Sequence, residues 1–235
     1  MFDVGSLLMT TLALHLSQWD LSTGSCTKTI EEAHSLNIAA IAVNHNDTSV
    51  VYSGSRDYGV KGWEIETGKM VVQFSAPRNI VTTMEYASGN ASSSLLFQGS
   101  EDLCVRGWDP KSASSSLPAL HITGYVYFPT SMAVHPDGKY LATGSKGFNS
   151  VGCEVKIWDL RNTSTPCVEL KGHSHDVVGV KYSQGAGGAV SATRRGESSS
   201  SGAGGGNTHS DRGGLKLISA SKDGSIFVWD ATNER

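Results

Sequence analysis

The chain has 235 residues, of which 38% are hydrophobic and 17% are charged, and its formal net charge is −3. This composition is typical of a globular protein with a sizeable core and argues against an extended disordered chain. The weak negative charge supplies no large basic face, so nucleic acid is not an expected partner. The apolar run near the N-terminus is too short to span a bilayer, so we expect no membrane insertion.

The first element in chain order is a strand at residues 12–19 that ends in a Trp-Asp pair, Trp19-Asp20. No complete partner strand is predicted before it. Residues 1–20 are therefore expected to contribute only the last strand of a structural unit.

Four later segments share one pattern, in which an apolar strand and a tight turn lead to a second strand that ends in Trp. These hairpins lie at 50–64, 95–109, 140–159 and 215–230. Further strands are predicted at about 25–31, 38–43, 70–74, 80–86, 117–122, 167–173 and 177–183. The tryptophans are Trp19, Trp63, Trp108, Trp158 and Trp229, at intervals of 44, 45, 50 and 71 residues.

The long last interval is explained by a Ser/Gly-rich insertion at residues 184–214. It has almost no large apolar side chains to offset the entropy of ordering, so we predict a disordered loop. Removing its 31 residues reduces the interval to 40. The chain thus divides into 1–20, repeats at 21–183, this insertion, and the end of the last repeat at 215–235.

The sequence predicts neither a metal site nor a cofactor. Its cysteines have no metal-ligand spacing and are interpreted as small buried or half-buried thiols. They are Cys26, Cys104, Cys153 and Cys167. Glycine-rich runs at 185–190 and 202–207 mimic nucleotide-binding loops, but no strand precedes them and no helix follows.

A Trp-Asp unit that recurs about every 40–45 residues resembles the WD-repeat β-propeller family, in which each unit forms one four-stranded blade. The resemblance implies an all-β fold with about four to five blades present. Seven blades would need roughly 300 residues. We therefore expect an incomplete arc of a seven-bladed ring, with part of the ring missing upstream.

The resemblance also implies a buried hydrogen-bond network in each blade, made by a His, a Ser, a turn Asp and the Trp. Two repeats supply all four residues: His34, Ser53, Asp57 and Trp63, and then His173, Ser219, Asp223 and Trp229. One repeat keeps Asp102 and Trp108 but has Gln98 instead of Ser, and another keeps Thr143 and Trp158 without the His or the Asp. We expect the blades of the two complete repeats to be locked by fully paired polar groups. The blades of the other two repeats are expected to be looser, with incomplete networks.

These residue types are also those of a hydrolase triad. Because they repeat with the blades, the structural role accounts for them, and no enzyme is predicted.

The residue before the turn Asp is expected on the face where the family binds ligand peptides. The candidate partner surface consists of Arg56, Arg78, Glu101, Lys146 and Lys222. The alternative is that these are solvated loop charges, since loops lie at the surface whether or not they bind.

Segments at 77–82, 147–161 and 167–173 resemble a ciliary member of the family. This implies a non-enzymatic scaffold or adaptor in cilium assembly or ciliary trafficking, located in the cytoplasm, the cilium or the basal body. The expected partners are other proteins or peptides, and the oligomeric state is left open.

Two alternative functions remain. Residues 158–161 are similar to the W-D-x-R sequence by which some propellers dock on cullin-RING ubiquitin ligases, and Arg161 would make that contact. A ribonucleoprotein component is the other alternative, which no basic face supports.

Overall fold

The structure is a computed structural model that describes residues 6–10, 14–44, 47–76, 78–87, 94–112, 117–183 and 215–230, with only the backbone of residues 6–10. These residues form β-strands and connecting turns, without a helix. The strands make five antiparallel sheets in chain order, which we number blades 1 to 5. The predicted disordered insertion at 184–214 lies outside the described residues.

Three complete blades of four strands stand between two blades of three described strands. Blade 1 contains β1 (Ser6–Thr10), β2 (Leu16–Asp20) and β3 (Ser25–Ile30). Blade 2 contains β4 (Ile38–Val43), β5 (Val50–Ser55), β6 (Gly59–Glu64) and β7 (Met70–Ser75). Blade 3 contains β8 (Val81–Tyr86), β9 (Leu96–Ser100), β10 (Cys104–Trp108) and β11 (Leu120–Ile122). Blade 4 contains β12 (Pro129–Val134), β13 (Tyr140–Ser145), β14 (Val155–Asp159) and β15 (Val168–Leu170). Blade 5 contains β16 (Val177–Ser183), β17 (Lys216–Ser221) and β18 (Ile226–Asp230).

The blades pack face to face in chain order, so the middle strands are buried on both faces rather than alternately. Strands β9 and β10 are buried at every residue. Apolar clusters fill the space between successive blades, and in one of them Trp108 stacks on Phe74 with ring centroids 5.0 Å apart. This packing explains why even the polar residues of β9 and β10, among them Gln98 and Arg106, are buried.

A glycine near the end of the second strand lets the next blade approach in three places. A Cβ on Gly54 would lie 2.5 Å from Val81, and one on Gly144 would lie 2.5 Å from Val177. Gly99 has the equivalent contact with Pro129 at 2.8 Å. Larger residues there would push the blades apart.

Threonine hydroxyls tie the inner strands of neighbouring blades together. Thr82 of β8 donates to the backbone oxygen of Pro129 in β12 at 2.6 Å. One blade further on, Thr130 of β12 donates in the same way to Val177 of β16. The inner strands β4, β8, β12 and β16 thus follow one another along a single series.

Blade 1 differs from the sequence prediction, which gave residues 1–20 only a last strand. Strand β1 pairs antiparallel with β2, with Leu7 opposite Trp19. Ladder bonds use backbone groups only, so β1 can form in a segment that lacks the turn signal of the other hairpins. The five sheets are successive blades of a partial WD-type β-propeller.

Among the described residues, no helix has the length and hydrophobicity needed to cross a membrane.

Candidate functional site

The repeated polar residues meet in the interior of blade 2. His34 Nδ1 lies 3.0 Å from Asp57 Oδ2, and His34 Nε2 lies 2.7 Å from Ser53 Oγ. The indole N–H of Trp63 donates to Ser53 Oγ at 2.8 Å. The network is fully paired when His34 carries its proton on Nδ1 and Ser53 donates its own proton to Nε2.

The electrostatics of blade 2 fit a neutral histidine beside an ionised carboxylate. Burial lowers the pKa of His34, and the nearby Asp57 charge opposes this shift only in part. Burial raises the pKa of Asp57, but hydrogen bonds from the backbone N–H groups of Ser35 and Gly59 outweigh it and lower that pKa. Ser53 is fully buried, so its hydroxyl holds the blade together and is closed to an external substrate.

Blade 5 contains the same residue types but connects them through one more side chain. Ser219 Oγ lies 2.7 Å from His173 Nε2 and accepts from the Trp229 indole at 2.9 Å. Asp223, however, is 3.6 Å from His173 Nδ1. Ser225 fills this gap, because its hydroxyl lies 2.9 Å from Nδ1 and donates to Asp223 at 2.5 Å.

The network predicted for this repeat contained only the His, Ser, Asp and Trp, whereas in the structure Ser225 lies between Asp223 and the histidine ring. Blade 2 has Gly59 at the position of Ser225, so there the carboxylate can reach the ring. The extra hydroxyl in blade 5 takes the position that the carboxylate would need. Ser225 was missed because it follows a turn in which only the Asp was considered.

Blade 3 has a connected network of different residues, although a complete one was not expected. The Trp108 indole donates to Gln98 Oε1 at 2.9 Å, and the Gln98 amide donates to Asn79 Oδ1. Arg106 donates to the same Asn79 oxygen at 3.0 Å and pairs with Asp102 at 2.5 Å. Asn79 and Gln98 are fully buried, so this blade is locked as well.

Arg106 holds the turn carboxylate of blade 3 in its ionised form. Burial raises the pKa of Asp102, but hydrogen bonds from Arg106 and Cys104 outweigh this and lower it. For the Cys104 thiol, burial and the adjacent carboxylate raise the pKa to about 12, which makes it unreactive.

The expectation of buried or half-buried cysteines holds for Cys104 and Cys153 but not for Cys26 and Cys167, which are exposed.

Blade 4 uses a tyrosine in place of the missing histidine. Tyr125 donates its hydroxyl proton to Thr143 Oγ1 at 3.1 Å, and the Trp158 indole donates to the same oxygen at 3.0 Å. The tyrosine ring also packs on Trp158, with centroids 5.4 Å apart. Burial raises the pKa of Tyr125 well above its usual value, so the hydroxyl remains a donor. Blade 4 is therefore also connected, contrary to the expectation of a looser blade.

Four of the five candidate partner residues follow the second strand of blades 2 to 5, on the face that we call the turn face. Arg56 and Glu101, from neighbouring blades, form an ion pair of 3.3 Å. Lys146 lies over the ring of Phe128, 5.1 Å from its centroid. Lys222 pairs with Asp176 at 2.8 Å.

Arg78, the remaining candidate, is exposed and has a positive φ of 59°. The structure thus places all five partner candidates at strand ends, and their binding role remains a prediction.

Arg161 lies elsewhere, in the connection between β14 and β15, and its guanidinium is paired with a carboxylate. It donates to both carboxylate oxygens of Asp159, at 2.9 Å and 2.6 Å. These hydrogen bonds lower the pKa of Asp159 to about 2. No group of His, Cys, Asp or Glu residues within the described ranges could hold a metal ion.

Three segments of the chain match the sequence model of a known repeat family. The sequence model of the WD40 family, described as "WD domain, G-beta repeat", matches residues 24–64, 119–159 and 207–230. These segments of the chain are therefore similar to WD40 repeats. The matched segments leave out the region around β8 to β10, where Asn79, Gln98 and Arg106 replace the usual residues.

Curated relatives of the chain are fungal ribosome biogenesis proteins. Ribosome biogenesis protein YTM1 of Kluyveromyces lactis is 26% identical over 164 residues, which cover 66% of this chain and 35% of that protein. The protein of the same name from Ajellomyces capsulatus is 28% identical over 157 residues, covering 66% and 30%. That of Saccharomyces cerevisiae is 26% identical over 135 residues, covering 57% and 27%.

The chain spans about a third of the length of the first of these curated relatives. The relatives do not support the likeness to a ciliary protein that the sequence analysis proposed. That likeness depended on short segments, and two of them lie in loops and at strand ends, where unrelated members of a repeat family can coincide.

Proposed function

We propose that this chain is a non-enzymatic protein-interaction scaffold that acts in ribosome biogenesis. The observation that carries the proposal is the similarity of 66% of the chain to proteins named for that process. The ribonucleoprotein alternative of the sequence analysis is thereby favoured over a role in cilia. Nuclear rather than cytoplasmic or ciliary localisation follows from the proposal, since ribosome assembly begins in the nucleolus.

The interior of the blades supports a scaffold rather than an enzyme. Ser53 and Ser219, the hydroxyls that would have to act as nucleophiles, are fully buried and bonded to both a histidine and an indole. A nucleophile must lie within reach of its substrate. These polar groups instead stabilise the blades and leave the loops available for partners.

We propose that the contacts are made with proteins rather than directly with RNA. The net charge of −3 gives little attraction to a phosphate backbone, whose neutralisation supplies most non-specific nucleic-acid affinity. The cullin-ligase alternative has less support, because Asp159 already occupies the guanidinium of Arg161.

The proposal can be tested by expressing the tagged chain in cells and sedimenting the lysate on sucrose gradients. We expect it to move with pre-ribosomal particles and to concentrate in the nucleolus. Purification should recover assembly factors even after ribonuclease treatment, because the contacts are with protein.

Three results would contradict this scheme in different ways. Recovery of ciliary proteins would favour the adaptor role in cilia. Recovery of a cullin adaptor that is lost in Arg161→Ala would favour the ligase role. Loss of all partners on ribonuclease treatment would replace protein contacts with RNA binding.

A further inference from the structure

Blade 4 carries a small rigid hairpin between β13 and β14 that the other described blades lack. Phe148 and Val151 exchange two backbone hydrogen bonds, each of 3.0 Å. The two residues between them, Asn149 and Ser150, have positive φ angles of 49° and 62°. Two successive left-handed residues make the type I′ turn that favours a tight hairpin. The insertion is thus a hydrogen-bonded hairpin rather than an irregular loop.

Contacts with blade 5 fix the position of this hairpin. The Phe148 ring packs edge-on against His175, with centroids 5.2 Å apart, and Ser150 N–H donates to the Ser174 backbone oxygen at 3.2 Å. At the base of the hairpin, Gly147 N–H donates to the Asp176 carboxylate at 3.0 Å. A surface fixed in this way loses little entropy when it binds.

The hairpin and the loop beside it expose apolar side chains on the turn face. Tyr127 lies against Gly152, where a Cβ would come within 2.5 Å of its ring. We call the four side chains of this region the hairpin patch: Val126, Tyr127, Phe148 and Val151, which are 59%, 38%, 57% and 52% exposed. Contiguous exposed apolar groups of this kind mark interaction sites in soluble proteins.

Two lysines border the hairpin patch. Lys146 directly precedes the hairpin and is exposed, with its ammonium over Phe128. Lys222 reaches the hairpin base through Asp176, yet its side chain remains 62% exposed and its ammonium can donate to a second carboxylate. Asp176 itself is mostly buried and is shared between Lys222 and Gly147. The charge that these groups present to solvent beside the patch is therefore positive.

We propose that the hairpin patch binds a linear peptide segment of a partner protein, in which one or two apolar side chains are flanked by carboxylates. The apolar groups would cover Phe148 and Val151, and the carboxylates would pair with Lys146 and Lys222. This inference rests on the proposed scaffold function and names the chemistry of one of its partners.

Single-stranded RNA is the competing ligand, because it also uses aromatic and cationic side chains. The geometry favours a peptide. Half of the patch is aliphatic, and each of its two aromatic rings has a neighbour on one side, Gly152 for Tyr127 and His175 for Phe148, so the patch suits apolar side chains better than a run of stacked bases. Two lysines are also too few to follow a phosphate backbone.

A display library of random 12-residue peptides, selected on the full-length chain, tests the proposal. We expect the enriched peptides to carry an aromatic or aliphatic residue flanked by Asp or Glu. Their affinity, measured by fluorescence anisotropy, should fall about tenfold or more in Phe148→Ser and Val151→Ser, because the centre of an interface carries most of its energy. Lys146→Glu should weaken acidic peptides and favour basic ones.

Matched variants separate this site from general surface effects. Val71→Ser changes a side chain of similar exposure on β7, and Lys69→Glu changes an exposed lysine of blade 2; neither should alter binding. The urea midpoint should change little in these variants, because the substituted side chains are about half exposed or more. Phe148→Ser also removes the packing on His175, so a loss of binding in Val151→Ser, which keeps that contact, decides whether the patch itself binds.

The proposal is overturned if selection enriches no sequence, if enriched peptides bind Phe148→Ser as tightly as the parent, or if they lack acidic residues. Tighter binding of a labelled 12-nucleotide RNA that Lys146→Glu abolishes would overturn it in favour of RNA. The selection contains no ribosomal particle, so its failure would contradict the peptide site without contradicting the scaffold function. The sedimentation experiment tests the scaffold function separately.

Discussion

The guanidinium of Arg106 donates a hydrogen bond of 3.0 Å to the side-chain oxygen of Asn79, and this contact joins the turn of blade 3 to its interior. The same guanidinium pairs with Asp102 at 2.5 Å. In blade 2 a histidine ring makes the corresponding connection between the turn Asp and the buried hydroxyl. Arg106 therefore takes the place of the histidine in blade 3. It does so from β10, whereas His34 of blade 2 lies before β4.

Removal of this arginine should destabilise the protein strongly. We expect Arg106→Ala to lower the free energy of unfolding by about 2–4 kcal/mol, since it leaves a mostly buried carboxylate without its cation. Urea unfolding at pH 7 would measure the loss. Arg106→Met, which keeps the aliphatic stem, should recover only a small part of it.

Arg161→Ala is the matched control, because Arg161 also pairs with an aspartate but is 67% exposed. Exposed pairs contribute little to stability. Equal effects of the two alanine substitutions would show that the network of blade 3 is not stabilising.

The fold could be predicted from sequence because its signals are local. The turn and the Trp that ends each hairpin lie within a few residues, and their spacing repeats with each blade. The completion of blades 3 and 4 could not be predicted in this way. Asn79 lies 27 residues before Arg106, and nothing in either local sequence indicates that the two meet.

The missed residues share a physical reason. The prediction from sequence depended on the presence of a His or a Ser. The interior of a blade requires only that the indole N–H and the polar groups of the turn have hydrogen-bond partners. Tyr125 satisfies that requirement with a hydroxyl and an aromatic ring, and Gln98 does so with an amide. A search for any buried donor or acceptor at these positions would have found them.

Thr143 should matter more to blade 4 than the hydroxyl of Tyr125. Thr143→Val keeps the shape but leaves the Trp158 N–H and the Tyr125 O–H without an acceptor, which we expect to cost about 1–3 kcal/mol. Tyr125→Phe removes one donor and strands no other donor, so about 0.5–1.5 kcal/mol is expected. Urea unfolding of both variants gives the comparison. A larger loss for Tyr125→Phe would contradict the arrangement of donors and acceptors.

Two of the hairpin turns hold large residues, Tyr58 and Leu103, in the left-handed conformation that suits glycine. Leu103 has a φ of 66°, whereas the equivalent position of blade 5 is Gly224, with a φ of 83°. We expect Leu103→Gly to stabilise the protein by up to about 1 kcal/mol, because it relieves this strain. Gly224→Ala should destabilise it by about 1 kcal/mol, although no atom lies within 4 Å of the added Cβ.

Thermal unfolding of the two variants should therefore shift in opposite directions. A loss of stability in Leu103→Gly would show that the leucine side chain, which is 40% exposed, makes contacts that outweigh its backbone strain.

Stability should fall as the pH drops below neutrality. Burial lowers the pKa of both His34 and His173. As the pH falls, these histidines therefore become protonated in the unfolded chain before they do so in the folded chain. Above the ordinary histidine pKa of about 6.5 both states are neutral and the histidines add no pH dependence. Below it the free energy of unfolding should decrease by up to about 1.4 kcal/mol per pH unit for each histidine.

A second loss should follow at lower pH, from the carboxylates. The pKa of Asp57 is lowered in the folded state, so its contribution to the free energy of unfolding is complete above its ordinary pKa of about 3.9 and disappears as the pH falls through the folded value.

Urea midpoints measured between pH 7.5 and pH 5 isolate the effect of the histidines. The slope in this window should decrease in His34→Gln and decrease again when His173→Gln is added. An unchanged slope in the double variant would mean that both rings take up protons in the folded protein, which the buried networks of blades 2 and 5 do not allow.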